Sequence, residues 1–173
     1  MGKLILVTGG ARSGKSRFAE KLVEEYGEPL GYIATGRREG EEMTSRIAAH
    51  QERRGPMWQT IEEPLDVVSA IRGHDGYFKA FLLDCVTLWL TNLLLDTDDS
   101  SLVLGRVNEL TGELSAVSSP IILVSNEVGM GIVPENRLAR LFRDLAGEAN
   151  QILAAAADEV YVTISGLPLK LKG

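Results

Sequence analysis

The chain has 173 residues, of which 45% are hydrophobic and 24% are charged, enough for one substantial core. Acidic side chains outnumber basic ones by 24 to 18, and the net charge of −6 argues against nucleic acid or an anionic membrane as the main partner. One cysteine excludes an internal disulfide and, with no signal-type N-terminal segment, favours the cytoplasm. No apolar run is long enough for an integral membrane segment. The length and composition fit a single domain over residues 1–173.

Short apolar segments alternate with helical patterns along the whole chain. Five segments are predicted to be strands: Leu4–Thr8, Leu30–Thr35, Ala80–Asp84, Ile121–Asn126 and Val160–Ile164. Six are predicted to be helices: Lys15–Tyr26, Glu41–Arg53, Leu65–Arg72, Thr87–Leu95, Leu102–Val117 and Arg137–Ala157. Near-continuous apolar strands separated by helices predict an α/β fold, with a mostly parallel central sheet and helices on both faces. Ligands bind at the carboxyl ends of such strands, so Thr35, Asp84 and Asn126 should lie near the loop that begins at Gly9.

The segment Gly9–Ser16 follows the first predicted strand and has the spacing of a P-loop, which predicts a P-loop NTPase-like fold. Glycines in this loop let backbone N–H groups surround phosphate oxygens at the start of a helix. Lys15 should reach the β- and γ-phosphates, and Ser16 should bind Mg²⁺. Without a ligand, we expect Lys15 to be largely solvated. The alternative is a glycine-rich turn with no ligand. The candidate nucleotide-binding residues here are Gly9, Gly10, Ala11, Arg12, Ser13, Gly14, Lys15 and Ser16.

Asp84 ends an apolar strand, where P-loop proteins place the acid that organises Mg²⁺. An aspartate at this point could also cap the helix that follows, and the two roles are compatible. The adjacent Cys85 is interpreted as a small buried residue rather than a nucleophile.

One predicted helix carries a histidine among arginines. At helical spacing Arg46, His50 and Arg53 or Arg54 share a face. Nearby positive charge favours the neutral, nucleophilic imidazole and attracts a triphosphate. His50 is therefore a candidate for covalent phosphorus chemistry, although a solvated polar face explains the spacing equally well. His74 has the surroundings of a turn residue.

An ordered set of motifs runs through essentially the whole chain: Gly9–Ser16, Tyr32–Thr35, Arg46-Ile47 with His50, Leu83–Trp89, Val124–Gly129, Ile132–Pro134, Phe142–Asp144, Asn150-Gln151 and Ser165–Pro168. This set resembles the bifunctional adenosylcobinamide kinase and adenosylcobinamide-phosphate guanylyltransferase family of cobalamin biosynthesis. A P-loop alone occurs in very many unrelated proteins, whereas the ordered set is specific.

The resemblance implies two reactions in one enzyme. A nucleoside triphosphate, ATP or GTP, first phosphorylates the aminopropanol hydroxyl of adenosylcobinamide. His50 then attacks the α-phosphorus of GTP, pyrophosphate leaves, and the cobinamide phosphate takes the guanylyl group to give adenosylcobinamide-GDP. Lys15, Ser16 and Asp84 would hold phosphates and Mg²⁺ in both reactions, and the enzyme would be a homotrimer.

The resemblance also implies which residues contact the guanine nucleotide. Beyond the P-loop and Asp84 these are Ala34, Thr35, Gly36, Gln51, Glu52, Arg53, Arg54 and Glu62. On sequence alone, Glu62 would be assigned to a solvated turn. Two other functions stay open: a P-loop kinase of another small molecule, and a GTP-switched interaction module with Glu127–Pro134 as its mobile surface.

Overall fold

The computed structural model describes residues 2–37 and 55–173. The strands are β1 (Leu4–Gly9), β2 (Leu30–Ala34), β3 (Trp58–Glu62), β4 (Ala80–Asp84), β5 (Ile121–Asn126), β6 (Glu159–Ile164) and β7 (Leu167–Lys172). The helices are α1 (Lys15–Glu24), α2 (Val67–Gly73), α3 (Val86–Thr97), α4 (Ser100–Leu114) and α5 (Arg137–Ala156). The predicted helix Glu41–Arg53, with His50, lies outside the described residues. None of the helices in the described part of the chain is long and apolar enough to cross a membrane.

The seven strands form one sheet in the order β3-β2-β4-β5-β1-β6-β7. Every neighbouring pair is parallel except β6 and β7, which form an antiparallel pair. The predicted mostly parallel sheet is therefore confirmed. The two strands that the sequence did not predict, β3 and β7, lie at the two edges of the sheet.

Helices cover both faces of the sheet, as predicted. Along each central strand, successive side chains enter opposite cores, which explains why these strands are apolar at almost every position. In β1, for example, Leu4 and Leu6 pack with α3, α4 and α5, whereas Ile5 and Val7 pack with α1. Because both faces are buried, the carboxyl edge of the sheet is where polar side chains can gather.

The connection after α2 is held by Asp75. Its carboxylate accepts hydrogen bonds from the backbone N–H groups of Ser118 and Ser119, at 3.0 Å each, and from the Ser118 hydroxyl. Burial raises the pKa of this carboxyl, but the hydrogen bonds outweigh it and lower the pKa to about 2. His74, just before it, follows the last turn of α2, so its assignment to a turn is confirmed.

Candidate active site

The loop from Gly9 to Lys15 joins the end of β1 to the start of α1. The N–H of Ser13 donates to the carbonyl of Gly10 at 3.2 Å, which closes the loop. Gly14 precedes the helix in a left-handed conformation, with φ of +94°. The loop is therefore followed immediately by a helix N-terminus, whose N–H groups and dipole favour an anion.

Two glycines of the loop, Gly9 and Gly14, are required by its packing. A Cβ on Gly9 would lie 2.5 Å from the hydroxyl oxygens of both Ser13 and Thr163, and one on Gly14 would lie 3.1 Å from the Cα of Gly166. The two hydroxyls of Ser13 and Thr163 are hydrogen-bonded at 2.8 Å, and the N–H of Gly166 donates to the Ser13 carbonyl at 2.9 Å. The end of β6 and the turn between β6 and β7 thus contact the loop and stabilise its conformation.

Lys15 is buried rather than solvated, and the expectation of a solvated lysine is wrong. Its side chain is 9% exposed, and its ammonium group donates to the carbonyl of Gly10 at 3.0 Å. A buried ammonium needs oxygen partners, and the loop itself supplies this one. The charge of Lys15 is therefore already held within the loop that precedes α1.

The carboxyl ends of the strands bring the other candidate residues to the same edge. Asp84 pairs in register with Ala34 of β2, and Ala34 pairs with Glu62 of β3. Asn126 pairs with Gly9, and the N–H of Glu127, just after β5, donates to the Gly9 carbonyl at 3.0 Å. Asp84 pairs with Val124 of β5, which joins the two sets of strand ends. The prediction that these strand ends meet near Gly9 is confirmed. Glu62 is exposed, as predicted, but it is the last residue of a strand, so its assignment to a turn is wrong.

Asp84 does not cap the following helix. The N-cap of α3 is Cys85, so the capping alternative for Asp84 is wrong. Cys85 is buried, as predicted, and its burial raises the pKa of the thiol, with a further increase from the Asp84 carboxylate and a decrease from the Lys15 ammonium. The charges of Asp84 and Lys15 therefore both act on the pKa of this buried thiol.

A buried pair of side chains fixes the backbone around Asp84. The Thr35 hydroxyl donates to the carbonyl of Cys85 at 2.8 Å and accepts from its N–H at 3.0 Å. The Asn92 amide donates to the carbonyl of Thr35 at 2.7 Å and to that of Pro64 at 3.1 Å. This Thr35–Asn92 bridge ties the ends of β2 and β4 to the segment that follows β3. It positions Asp84 through the main chain, because the Thr35 hydroxyl is engaged with Cys85.

A second polar cluster surrounds the end of β5. The Thr87 hydroxyl accepts from the backbone N–H and the side-chain amide of Asn126, at 3.2 and 3.1 Å. Asn150 accepts from the Ser125 hydroxyl at 2.6 Å and donates to the Asn126 carbonyl at 3.3 Å. Sequence reasoning assigned no individual role to Thr87, Asn92 or Asn150, because the periodicity of a helix indicates only its apolar face. Thr87 and Asn150 do stand in motifs that carry the family resemblance, which was the signal available for them.

The predicted metal ligands lie in α1 and at the end of β4. Ser16 and Asp84 offer a hydroxyl and a carboxylate, the hard oxygen ligands that suit Mg²⁺, which proteins commonly bind with one or two carboxylates plus substrate phosphates. Within residues 2–37 and 55–173, no group of three or more histidine, cysteine or acidic side chains is arranged to hold a metal. The predicted residues His50, Gln51, Glu52, Arg53 and Arg54 lie outside the described part of the chain.

The fold and this loop define a P-loop nucleotide-binding protein. A KaiC-like protein from Pyrococcus horikoshii OT3 has the same fold, with a TM-score of 0.55 and 18% identity over 93% of this chain and 70% of that one. The family model for cobinamide kinase / cobinamide phosphate guanyltransferase matches residues 5–171, and the chain belongs to this family. The resemblance found in the sequence motifs is therefore confirmed.

Curated relatives agree with the family. A bifunctional adenosylcobalamin biosynthesis protein of Pseudomonas aeruginosa PAO1 is 46% identical over 97% of this chain and 96% of its own length. Two further proteins with the same description, from Escherichia coli K12 and Salmonella typhimurium LT2, are 42% and 43% identical, over 98% of this chain and 99% of theirs. The chain is accordingly a bifunctional kinase and nucleotidyltransferase of cobalamin biosynthesis, with nucleotides as substrates.

Proposed function

We propose that residues 1–173 act as one catalytic domain that phosphorylates adenosylcobinamide and then converts the phosphate to adenosylcobinamide-GDP with GTP. The observation that carries this proposal is the meeting of the P-loop, Gly9 to Ser16, with Asp84 and Asn126 at one edge of the sheet. A phosphate-binding loop and a carboxylate at the same edge suit both phosphoryl and nucleotidyl transfer.

In the kinase reaction, the substrate hydroxyl oxygen attacks the γ-phosphorus, and the bond to the oxygen that bridges the β- and γ-phosphates breaks. Lys15 stabilises the charge that develops on the phosphates, and the backbone N–H groups of the loop orient them. Ser16 and Asp84 would hold Mg²⁺, which neutralises phosphate charge when bound. The Thr35–Asn92 bridge keeps Asp84 in place during the reaction.

In the guanylyl transfer, a ring nitrogen of His50 attacks the α-phosphorus of GTP and the bond to pyrophosphate breaks. An oxygen of the cobinamide phosphate then attacks the same phosphorus, and the bond to His50 breaks. Covalent capture replaces one difficult displacement by two easier ones. The guanine nucleotide would contact Ala34–Gly36, Gln51–Arg54 and Glu62, and the register of Ala34 with Glu62 and Asp84 supports this assignment.

We further propose a cytoplasmic homotrimer. The family resemblance implies the trimer, and a single buried cysteine agrees with a reducing compartment. Light scattering of the purified protein tests the assembly, and a monomer at micromolar concentration would contradict it.

Labelling with α-labelled GTP tests the covalent step. We expect the wild-type protein to acquire a label that is lost in acid and survives in base, which is the stability expected of a phosphoramidate bond. The His50→Ala variant should not be labelled but should still phosphorylate adenosylcobinamide. His74→Ala is the matched control, since the chain has only these two histidines, and it should be labelled normally. A label retained in His50→Ala would exclude this histidine as the carrier.

The family match argues against the two alternative functions that the sequence left open, and the same experiment checks this independently. A kinase of another small molecule and a GTP-switched module both predict no covalent label from α-labelled GTP. The kinase would transfer the γ-phosphoryl group to a different acceptor, and the module would hydrolyse GTP slowly.

A further inference from the structure

The loop between β5 and α5, residues 127–136, presents apolar side chains to solvent. Met130 is 87% exposed, Ile132 is 97% exposed and Val133 is 57% exposed. These three residues stand within four positions of the chain, and exposed apolar side chains that form a large patch mark a binding site. This 127–136 loop follows directly from Asn126 at the nucleotide edge.

Both ends of the 127–136 loop are fixed by hydrogen bonds. At its start, the N–H of Glu127 donates to the Gly9 carbonyl at 3.0 Å, and the Glu127 carboxylate accepts from the N–H of Gly129 at 2.7 Å. At its end, the Arg140 guanidinium donates to the carbonyls of Pro134 and Glu135, at 2.9 and 2.6 Å. The exposed apolar residues therefore stand on a segment held at both ends, one of which is bonded to the P-loop.

An apolar groove of about 390 Å³ begins at Asn136, the last residue of this loop. It lies between α3 and α5 and is lined by Thr91, Leu94, Leu95, Asn136, Leu138 and Phe142, with Ala139. Asn136 belongs to both features, since it ends the loop and caps α5. The volume of the groove falls within the range of small-molecule sites, about 300–1,000 Å³. One wall of the groove, α3, begins directly after Cys85 and so starts at the nucleotide edge. The other wall, α5, reaches that edge at Asn150, which bonds the Ser125 hydroxyl and the Asn126 carbonyl.

We propose that the 127–136 loop and this groove together bind the corrin macrocycle of the cobinamide substrate. This inference rests on the proposed function, because that function requires a large acceptor beside the nucleotide. A corrin ring is a wide, largely apolar macrocycle with amide groups at its periphery. The loop and the leucines of the groove match the ring. The Thr91 hydroxyl donates to the Thr87 carbonyl and the Asn136 side-chain oxygen accepts from the Ala139 N–H, so Thr91 would accept from the peripheral amides and the Asn136 side-chain N–H group would donate to them.

The position of the surface favours the corrinoid over a second copy of the chain. The aminopropanol arm of the substrate is covalently attached to the macrocycle, so the ring must lie within one arm length of the γ-phosphate. The Glu127–Gly9 hydrogen bond places the start of this surface against the P-loop. An interface between two copies of the chain would not have to lie close to the γ-phosphate.

Two variants, Ile132→Ser in the loop and Leu138→Ser in the groove, test the proposal. Leu171→Ser is the matched control, since Leu171 is comparably exposed on β7, at the edge of the sheet. Equilibrium dialysis of cobinamide measures binding without catalysis, and kinase assays give KM for cobinamide and for the nucleotide. Burial of one aliphatic side chain contributes enough for about a tenfold change in affinity, so each variant should weaken cobinamide binding about tenfold or more.

The expected pattern is weaker cobinamide binding with unchanged nucleotide KM, unchanged labelling by α-labelled GTP and an unchanged mass by light scattering. Unchanged cobinamide affinity in both variants would overturn the proposal, as would a loss of labelling. A variant that dissociates to monomers would assign the surface to contacts between copies and would also overturn it. If the wild-type protein neither binds nor phosphorylates cobinamide, the proposed function itself fails, which is a separate outcome.

Discussion

Replacing Thr35 by valine should destabilise the fold more than its small change in shape suggests. The Thr35 hydroxyl bonds both the N–H and the carbonyl of Cys85, and Thr35 is completely buried. Valine keeps the volume but leaves both backbone groups without this partner. The Cys85 carbonyl still accepts from the Trp89 N–H at 3.2 Å, so only the Cys85 N–H is left unsatisfied. An unsatisfied buried polar group costs about 1–3 kcal/mol, and the free energy of unfolding should fall by about that amount.

Thr35→Ser is the matched control, since it keeps the hydroxyl and removes one methyl group, at a cost of about 1 kcal/mol. Urea unfolding followed by circular dichroism gives both free energies of unfolding. Equal losses for the two variants, or a smaller loss for valine, would refute the role assigned to the hydroxyl. Because the Thr35–Asn92 bridge positions Asp84, the valine variant should also need more Mg²⁺ for half-maximal kinase activity. Thr35→Ser keeps the hydroxyl and should have the same Mg²⁺ requirement as the wild type.

Gly14→Ala should weaken nucleotide binding and destabilise the fold, because the residue has a φ of +94° and a Cβ there would lie 3.1 Å from the facing hairpin backbone. Gly105→Ala, in the open interior of α4, should instead stabilise the fold by about 0.5–1 kcal/mol, and thermal unfolding distinguishes the two. The pKa of Asp75 is lowered from 3.8 to about 2, so its stabilisation should be complete above pH 4 and lost as the pH falls towards 2. Unfolding of wild type and Asp75→Ala at several pH values checks this, and a difference that persists at pH 2 would contradict it.

The central strands and the P-loop could be predicted because their signals are local. Each central strand is a short apolar run that ends at a polar residue, and the loop has a fixed spacing. The edge strands lacked these signals. All residues of β7 are exposed, and Pro168 within it argues against a strand, although an edge position tolerates the missing N–H. In β3 only Trp58 is buried, so no apolar run marked it.

The parts of the site that the sequence could not predict depend on contacts between distant residues. Asn92 reaches the carbonyl of Thr35 across 57 positions, and Thr163 braces Ser13 across 150. A pattern of apolar residues places a helix but does not indicate which polar side chain faces the sheet edge. The burial of Lys15 was missed for a related reason, since the loop carbonyl that receives its ammonium group is set by the closed loop.

The central claim is that one P-loop serves both reactions, and paired assays of Lys15→Ala test it most directly. γ-Labelled nucleotide measures phosphorylation of adenosylcobinamide, and α-labelled GTP measures guanylyl transfer to synthetic cobinamide phosphate. Lys21→Ala, on the exposed face of the same helix, is the control, and circular dichroism confirms that both variants are folded. Loss of a preorganised charge commonly costs about 10²–10³ in rate, so both activities of Lys15→Ala should fall by about that factor while Lys21→Ala stays near wild type. If either activity of a folded Lys15→Ala variant stayed near the wild-type rate, that reaction would use a different nucleotide site.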